Sequence, residues 1–385
     1  MQRLIYQGSP DEENRARLLL EKASAAIAER VGSRGLDAIV LAGGFGRGEG
    51  ALLREDGPDG VPFNDVDLLL VGSRPRVSAS VLGELRHSLA RLLRVDFVDI
   101  NYMRSSELKR VSPTVFFYEL KHGNRIVWGA QDALGTLPSF DPAELPTTEA
   151  TRLFLNRGLG LLSVLLQLET GEKGELVARR SAVAWSKIVL AAGDSLLLER
   201  RLYHWSYVER ARRMREVARY SGLEPGFFDA YEKAVAFKLT ADFSLLSSRE
   251  PAALCSEAVR IHERHFQMAE RQRTFAELAD WSQYPSVVLR VGLQPFRRRL
   301  KHYLTGYGVA ARVRGLAQFV RLPLWDEERR LALLPLVLYA VRQTRGQTRR
   351  DGCLAEACAI QYGRREVREG DWKRLAADLV GESHP

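Results

Sequence analysis

The chain has 385 residues, 45% hydrophobic and 27% charged, an ordinary globular balance that leaves room for two or three domains. No apolar leader follows Met1, and the longest apolar run, "LALLPLVLYAV", is too short to span a bilayer and contains a proline, so neither a signal peptide nor a membrane anchor is expected. The net charge of +9 is uneven: residues 1–145 carry 18 Lys and Arg against 20 Asp and Glu, and the remainder carries 39 against 28. A basic C-terminal region admits an anionic or nucleic-acid partner, but its arginines are spread over helices without aromatic interleaving, the pattern of solvated faces. Cys255, Cys353 and Cys358 are too sparse for a disulfide framework and lack zinc-ligand spacing. They read as small buried residues in a reducing, cytoplasmic protein.

In chain order, "DEENRARLLLEKASAAIAERVG" predicts an amphipathic helix stopped by Gly32. "LDAIVLA" (36–42) and "VDLLLV" (66–71) predict buried strands, and "VSASVLGELRHSLARLL" (77–93) a helix. "RVDFVDINYM" (94–103) and "NRIVWG" predict further strands. The Pro-rich "LPSFDPAELPTTEA" marks a boundary, with Thr147 or Thr148 as the cap of the next helix. Beyond it helical periodicity dominates, and a weaker boundary falls near Pro285 and Pro295. These signals divide the chain into residues 1–145, 146–285 and 286–385. The fold class expected is an α/β (α+β) domain with a short mixed sheet, followed by an all-α region.

"LAGGFGRGEG" (41–50) places five glycines at the end of a strand. A dinucleotide fingerprint would need glycine at position 49, and a Walker A loop would need lysine there; the residue is Glu49, whose carboxylate repels phosphate. Shortly afterwards "NDVDL" (64–68) carries Asp65 and Asp67 on one face of a strand. Paired carboxylates repel unless divalent cations lie between them. A third strand supplies Asp96 or Asp99. Because Val95 and Phe97 are apolar, alternation favours Asp96 on the face away from the core.

A glycine turn after one strand, D-x-D on the next and a carboxylate on a third resemble the DNA polymerase β nucleotidyltransferase superfamily. In its small bacterial members the motifs are G-S-x-x-R-G-[DE], [SN]-D-x-D-L and V-D-L-V. Here "GGFGRGE", "NDVDL" and "VDFV" stand in that order, within residues 36–100. Gly44 replaces the commoner serine, and "LLREDGPDGV" lengthens the connection between the first two motifs. The resemblance implies an NTP, with ATP expected, and two Mg²⁺ ions held by Asp65, Asp67 and Asp96. Gly43 and Gly44 would approach the β- and γ-phosphates. Arg47 has two readings, as a triphosphate contact or as a pair with Glu49 or an aspartate that fixes the loop. Glu49 reads as a loop-positioning acceptor.

In the helical region Lys187, Ala191 and Asp194 share a face by spacing. Similarity to kanamycin-type nucleotidyltransferases gives Lys187 a nucleotide-phosphate role and Asp194 an acceptor role; an internal ion pair is the plainer alternative. His262 and His265 read as surface residues of a helix. The expected activity is Mg²⁺-dependent transfer of a nucleoside monophosphate to a hydroxyl with release of pyrophosphate. A small molecule or a protein is favoured as acceptor over RNA, whose ends are the alternative target. A nucleotide-binding toxin–antitoxin or regulatory partner is the non-enzymatic alternative.

Overall fold

A computed structural model describes residues 3–32, 35–54, 60–63, 65–73, 77–218, 224–278, 280–293, 326–342 and 347–381. The chain is a mixed α/β protein, predominantly helical, with a small mixed sheet and a helical C-terminal region. It begins with α1 (Pro10–Val31), β1 (Leu36–Leu41), the short α2 (Gly43–Arg47), a hairpin of β2 (Leu52–Leu53) and β3 (Val61–Pro62), and β4 (Asp65–Gly72). There follow α3 (Ala79–Leu93), β5 (Phe97–Arg104), α4 (Ser105–Leu108), α5 (Val115–His122) and β6 (Arg125–Gly129). Then come α6 (Thr148–Glu169), α7 (Glu175–Glu199), α8 (Tyr207–Ala218), α9 (Phe227–Thr240), α10 (Pro251–Thr274), α11 (Tyr284–Val291), α12 (Asp326–Leu338), α13 (Gln347–Tyr362) and α14 (Asp371–Gly381).

Two compact units result: Met1–Pro146 with Leu196–Leu245, and Thr147–Ser195 with Leu246–Pro385. Residues 196–245, grouped with the helical region in the linear reading, thus belong with the sheet. Pro295 and the tip of the "LLREDGPDGV" connection lie outside the described residues.

The four-stranded sheet has the order β5-β4-β1-β6. β1 runs antiparallel to β4 and to β6, and β4 pairs parallel with β5. Side-chain alternation gives the sheet two faces. Val66, Leu68, Val98 and Ile100 join the apolar layer that holds α1 and α3. Ala38, Val40, Leu69 and Val71 pack on the opposite face against Leu108, Leu120 and Leu137. That second apolar layer ends at Leu69 on β4; towards the start of the strand, Asp67 and Asp65 take the same-face positions. The α1 start is a capping box, with Glu12 N–H donating to Ser9 Oγ and Ser9 N–H to Glu12.

The second unit is built around α6, α10, α12 and α14. α7 is long and apolar enough to cross a bilayer, but 83% of its most apolar window is buried inside the protein, the pattern of a core helix. Lys187 is half-buried on α7, and Asp194 is buried. All three cysteines are buried and stand outside any disulfide. His262 and His265 are buried, not superficial. His262 bridges the Tyr339 hydroxyl (2.8 Å) and the Phe154 carbonyl (2.9 Å). Its spacing from His265 places both on the inward stripe of α10, which polarity alone does not reveal.

Glu270 is fully buried on that stripe, where its carboxylate accepts from Arg273 Nε (2.9 Å), Tyr284 Oη (2.7 Å) and Thr151 Oγ1 (2.5 Å). Removing it strands the Arg273 guanidinium, which keeps only 3% of its side-chain exposure. Glu270→Ala is expected to destabilise the protein by about 3–5 kcal/mol, and Glu270→Gln by less. Urea unfolding followed by far-ultraviolet circular dichroism checks this.

Candidate active site

The glycine turn is built against Asp67. The Ala42 N–H still donates to the Asp67 carbonyl (2.9 Å) as the chain leaves β1. Gly43 then adopts φ +60°, and a Cβ there would lie 1.7 Å from Asp67 Oδ2. Glycine at 43 is therefore required twice over, by backbone conformation and by contact with the carboxylate. α2 starts here with Gly43 and Gly44, so its first turn carries N–H groups that have no partner within the helix. Gly48 closes α2 at φ +77°, and a Cβ on it would meet the Arg3 carbonyl at 2.7 Å.

Arg47 and Glu49 fix that turn to the later helices of the unit. Arg47 donates to Glu119 on α5 (Nη1, 2.7 Å) and to Glu49 (Nε, 3.3 Å), with only 5% of its side chain exposed. Burial works against its charge, but Glu119 and Glu49 outweigh it and hold its pKa above the ordinary range. Glu49 accepts from Ser206 Oγ (2.6 Å) and from the N–H groups of Tyr207 (3.1 Å) and Val208 (3.4 Å). It thereby seats a carboxylate at the start of α8, where the helix dipole favours one. Glu119 also pairs with Arg210, whose guanidinium lies 4.2 Å from each of the Tyr203 and Tyr207 ring centroids. Of the two readings of Arg47, the geometry gives the loop-fixing one. Its reading as a triphosphate contact gives way accordingly, because Nε and Nη1 are engaged with the Glu49 and Glu119 carboxylates.

The carboxylates meet across the parallel β4–β5 pair. Asp65 stands opposite Phe97, and Asp67 opposite Asp99, so Asp65, Asp67 and Asp99 share one face. Here the expectation for Asp96 is corrected. Asp96 is exposed in the bend before β5, whereas Val98 and Ile100, each fully buried, set the phase of alternation. Phe97, apolar yet 49% exposed, reverses the apparent phase of the strand. Asn101, next but one along the strand, donates its amide to Asp99 Oδ1 (2.8 Å).

Burial, reinforced by the charges of Asp65 and Asp99, pushes the Asp67 carboxyl up to about 7, against the pull of Lys238 and Arg47. Asp99 is also raised, by burial and by Asp65, with Arg86 and the Asn101 hydrogen bond opposing. Lys238 is the cation that pattern reading missed; nothing in its local sequence distinguishes it. It follows Phe237 on α9, and Phe237 packs edge-on against Phe63 (5.7 Å between centroids), two residues before Asp65. Phe243 completes this aromatic cluster. Asn64, between Phe63 and Asp65, lies outside the described residues. Lys187 belongs to the second unit, and its phosphate role rests on resemblance alone.

Among the described residues, no group of three or more His, Cys, Asp and Glu side chains is already arranged to hold a metal ion. The donor chemistry nevertheless fits a hard divalent cation: oxygen ligands only, concentrated negative charge, and a carboxyl that resists ionisation at neutral pH. No protein-family model matches the chain, and no curated protein matches it.

The raised Asp67 carboxyl sets a pH dependence. Between the unfolded value near 3.8 and the folded value of about 7, the folded state holds a proton that the unfolded state has lost. Stability contributed by this group therefore falls as pH rises through that window. Asp67→Asn is expected to stabilise the metal-free protein by about 2 kcal/mol at pH 8 and by little at pH 4.5. Thermal unfolding at the two pH values, in EDTA, measures it. Mg²⁺ or Mn²⁺ is expected to raise the melting temperature of the wild type more at pH 8 than at pH 5.5.

Proposed function

We propose that the protein is a divalent-cation-dependent nucleotidyltransferase of the DNA polymerase β type. It transfers a nucleoside monophosphate, from ATP by preference, to a hydroxyl acceptor. The observation that carries this reading is the single face shared by Asp65, Asp67 and Asp99, with Gly43 against Asp67. Like charges held together by the fold destabilise it in the absence of a cation, and a fold that retains them points to use.

In this reading the α2 turn at Gly43 and Gly44 receives the β- and γ-phosphates through backbone N–H groups. Lys238, whose charge reaches Asp67, adds the cationic help sought at Lys187. Divalent cations bound by the three aspartates would neutralise phosphate charge and polarise the α-phosphorus. The acceptor oxygen attacks that phosphorus and the bond to the bridging oxygen breaks. Pyrophosphate leaves with the bonding electrons, and the hydroxyl proton passes to the Asp99 carboxylate.

RNA as acceptor is less well supported than a small molecule. Arginines beyond residue 145 are interspersed with carboxylates in ion pairs, among them Arg179–Glu175, Arg212–Glu209, Arg215–Glu232 and Arg271–Glu277. Three buried cysteines outside any disulfide accord with a reducing, cytoplasmic setting.

Incubation with α-labelled ATP, Mg²⁺ and cell extract is expected to give a labelled acceptor and free pyrophosphate. Asp67→Asn should lower transfer about a thousand-fold while the protein stays folded. Gly43→Val should abolish ATP binding in calorimetry, because its side chain would collide with Asp67. Wild-type turnover in Asp67→Asn would overturn the reading.

A further inference from the structure

The sheet order separates the two sides of the candidate site. β1, which delivers the glycine turn, flanks β4 on one side, and β5 flanks it on the other as the outermost strand. If phosphates are received at Gly43 and Gly44, the acceptor hydroxyl must approach the α-phosphorus from the opposite side, because the attacking and leaving oxygens of a phosphoryl transfer lie roughly in line. That side is β5. Its site face carries Phe97, Asp99 and Asn101 at alternate positions, giving an aromatic ring, a carboxylate and an amide in a row.

A lone exposed phenylalanine is unremarkable on a protein surface. The register of Phe97 makes it different, because it stands opposite Asp65 on the carboxylate face with 49% of its surface exposed. Asn101 is also exposed, and its amide is oriented by donation to Asp99 (2.8 Å), so its oxygen is presented as an acceptor. β5 carries no Lys or Arg from Phe97 to Met103. Arg86, whose charge reaches Asp99, donates to the Ile100 carbonyl (3.1 Å). A polyanionic acceptor would therefore meet carboxylates with no cation on that strand face.

We infer that Phe97 and Asn101 form the acceptor subsite, and that the acceptor is a neutral, hydroxyl-rich ring of the carbohydrate class. The inference rests on the nucleotidyltransferase reading. The C–H face of a pyranose packs on the Phe97 ring, Asn101 takes one ring hydroxyl, and the neighbouring hydroxyl is held beside Asp99 as the nucleophile. Phe97 fixes acceptor identity and takes no part in the chemistry.

The test uses the full chain with Mg²⁺ and a non-hydrolysable ATP analogue. Saturation-transfer NMR is run against the methyl glycosides of glucose, galactose, mannose and N-acetylglucosamine, with an oligoribonucleotide as a separate arm. At least one glycoside is expected to receive saturation on the C–H groups of one ring face. Phe97→Ala should weaken that glycoside about ten-fold or more, Phe97→Tyr should retain it, and calorimetric binding of the ATP analogue should be equal in all three proteins. Normal analogue binding with no glycoside signal, or with a signal that Phe97→Ala preserves, overturns the subsite alone. Phe97-dependent binding of the oligoribonucleotide in place of a glycoside also overturns it. Failure of the analogue to bind wild type overturns the transfer reading and the subsite with it.

Discussion

Two guanidiniums and two carboxylates enclosed together hold the first unit in register. Arg47 and Arg210 share Glu119, and Arg47 also meets Glu49. A charge in such a place is tolerated only with an opposite charge in good geometry. The four groups sum to neutrality, and each comes from a different segment: the glycine turn, its exit, α5 and α8. Burial of any one therefore requires the others. The Gly43 turn stays against Asp67 because Arg47 and Glu49 tie it to elements 72 to 159 residues further along the chain.

The carboxylate face follows the opposite rule. There the fold brings together like charges with only partial compensation, and Asp67 responds by holding its proton to about neutral pH. The same unit thus contains a neutralised network and a strained one in contact through α2. The first gives the turn a fixed position, without which the second would relax by moving apart. Stability and candidate function are separated between neighbouring side chains: Glu49 and Arg47 serve the fold, while Asp65, Asp67 and Asp99 work against it.

Much of this was legible in the sequence, for identifiable reasons. Strands β1 and β4 are apolar runs with little ambiguity, and the glycines at a strand end admit few conformations. Asp65 and Asp67 share a face by period alone. The third carboxylate is ambiguous in the sequence because Phe97 has the character of an inward residue, whereas Val98 and Ile100 supply the core contacts. An exposed aromatic reverses the apparent phase of a short strand. Glu119, Arg210 and Lys238 were out of reach for another reason: their meaning arises from long-range packing, which no local pattern encodes. His262 was missed because a buried imidazole satisfied by a hydroxyl and a carbonyl has the same sequence signature as a solvated one.

The discontinuity of the first unit has a consequence for biogenesis. A nascent chain emerging N-terminus first completes every strand of the sheet by Gly129, yet Arg210 and the α8 start that receives Glu49 are still untranslated. Until translation has passed α6 and α7, Glu119 lacks Arg210 and Glu49 lacks its donors at the start of α8, which leaves two carboxylates to the one guanidinium of Arg47. The glycine turn therefore gains its last ties only from a segment whose synthesis is separated from the sheet by two long apolar helices.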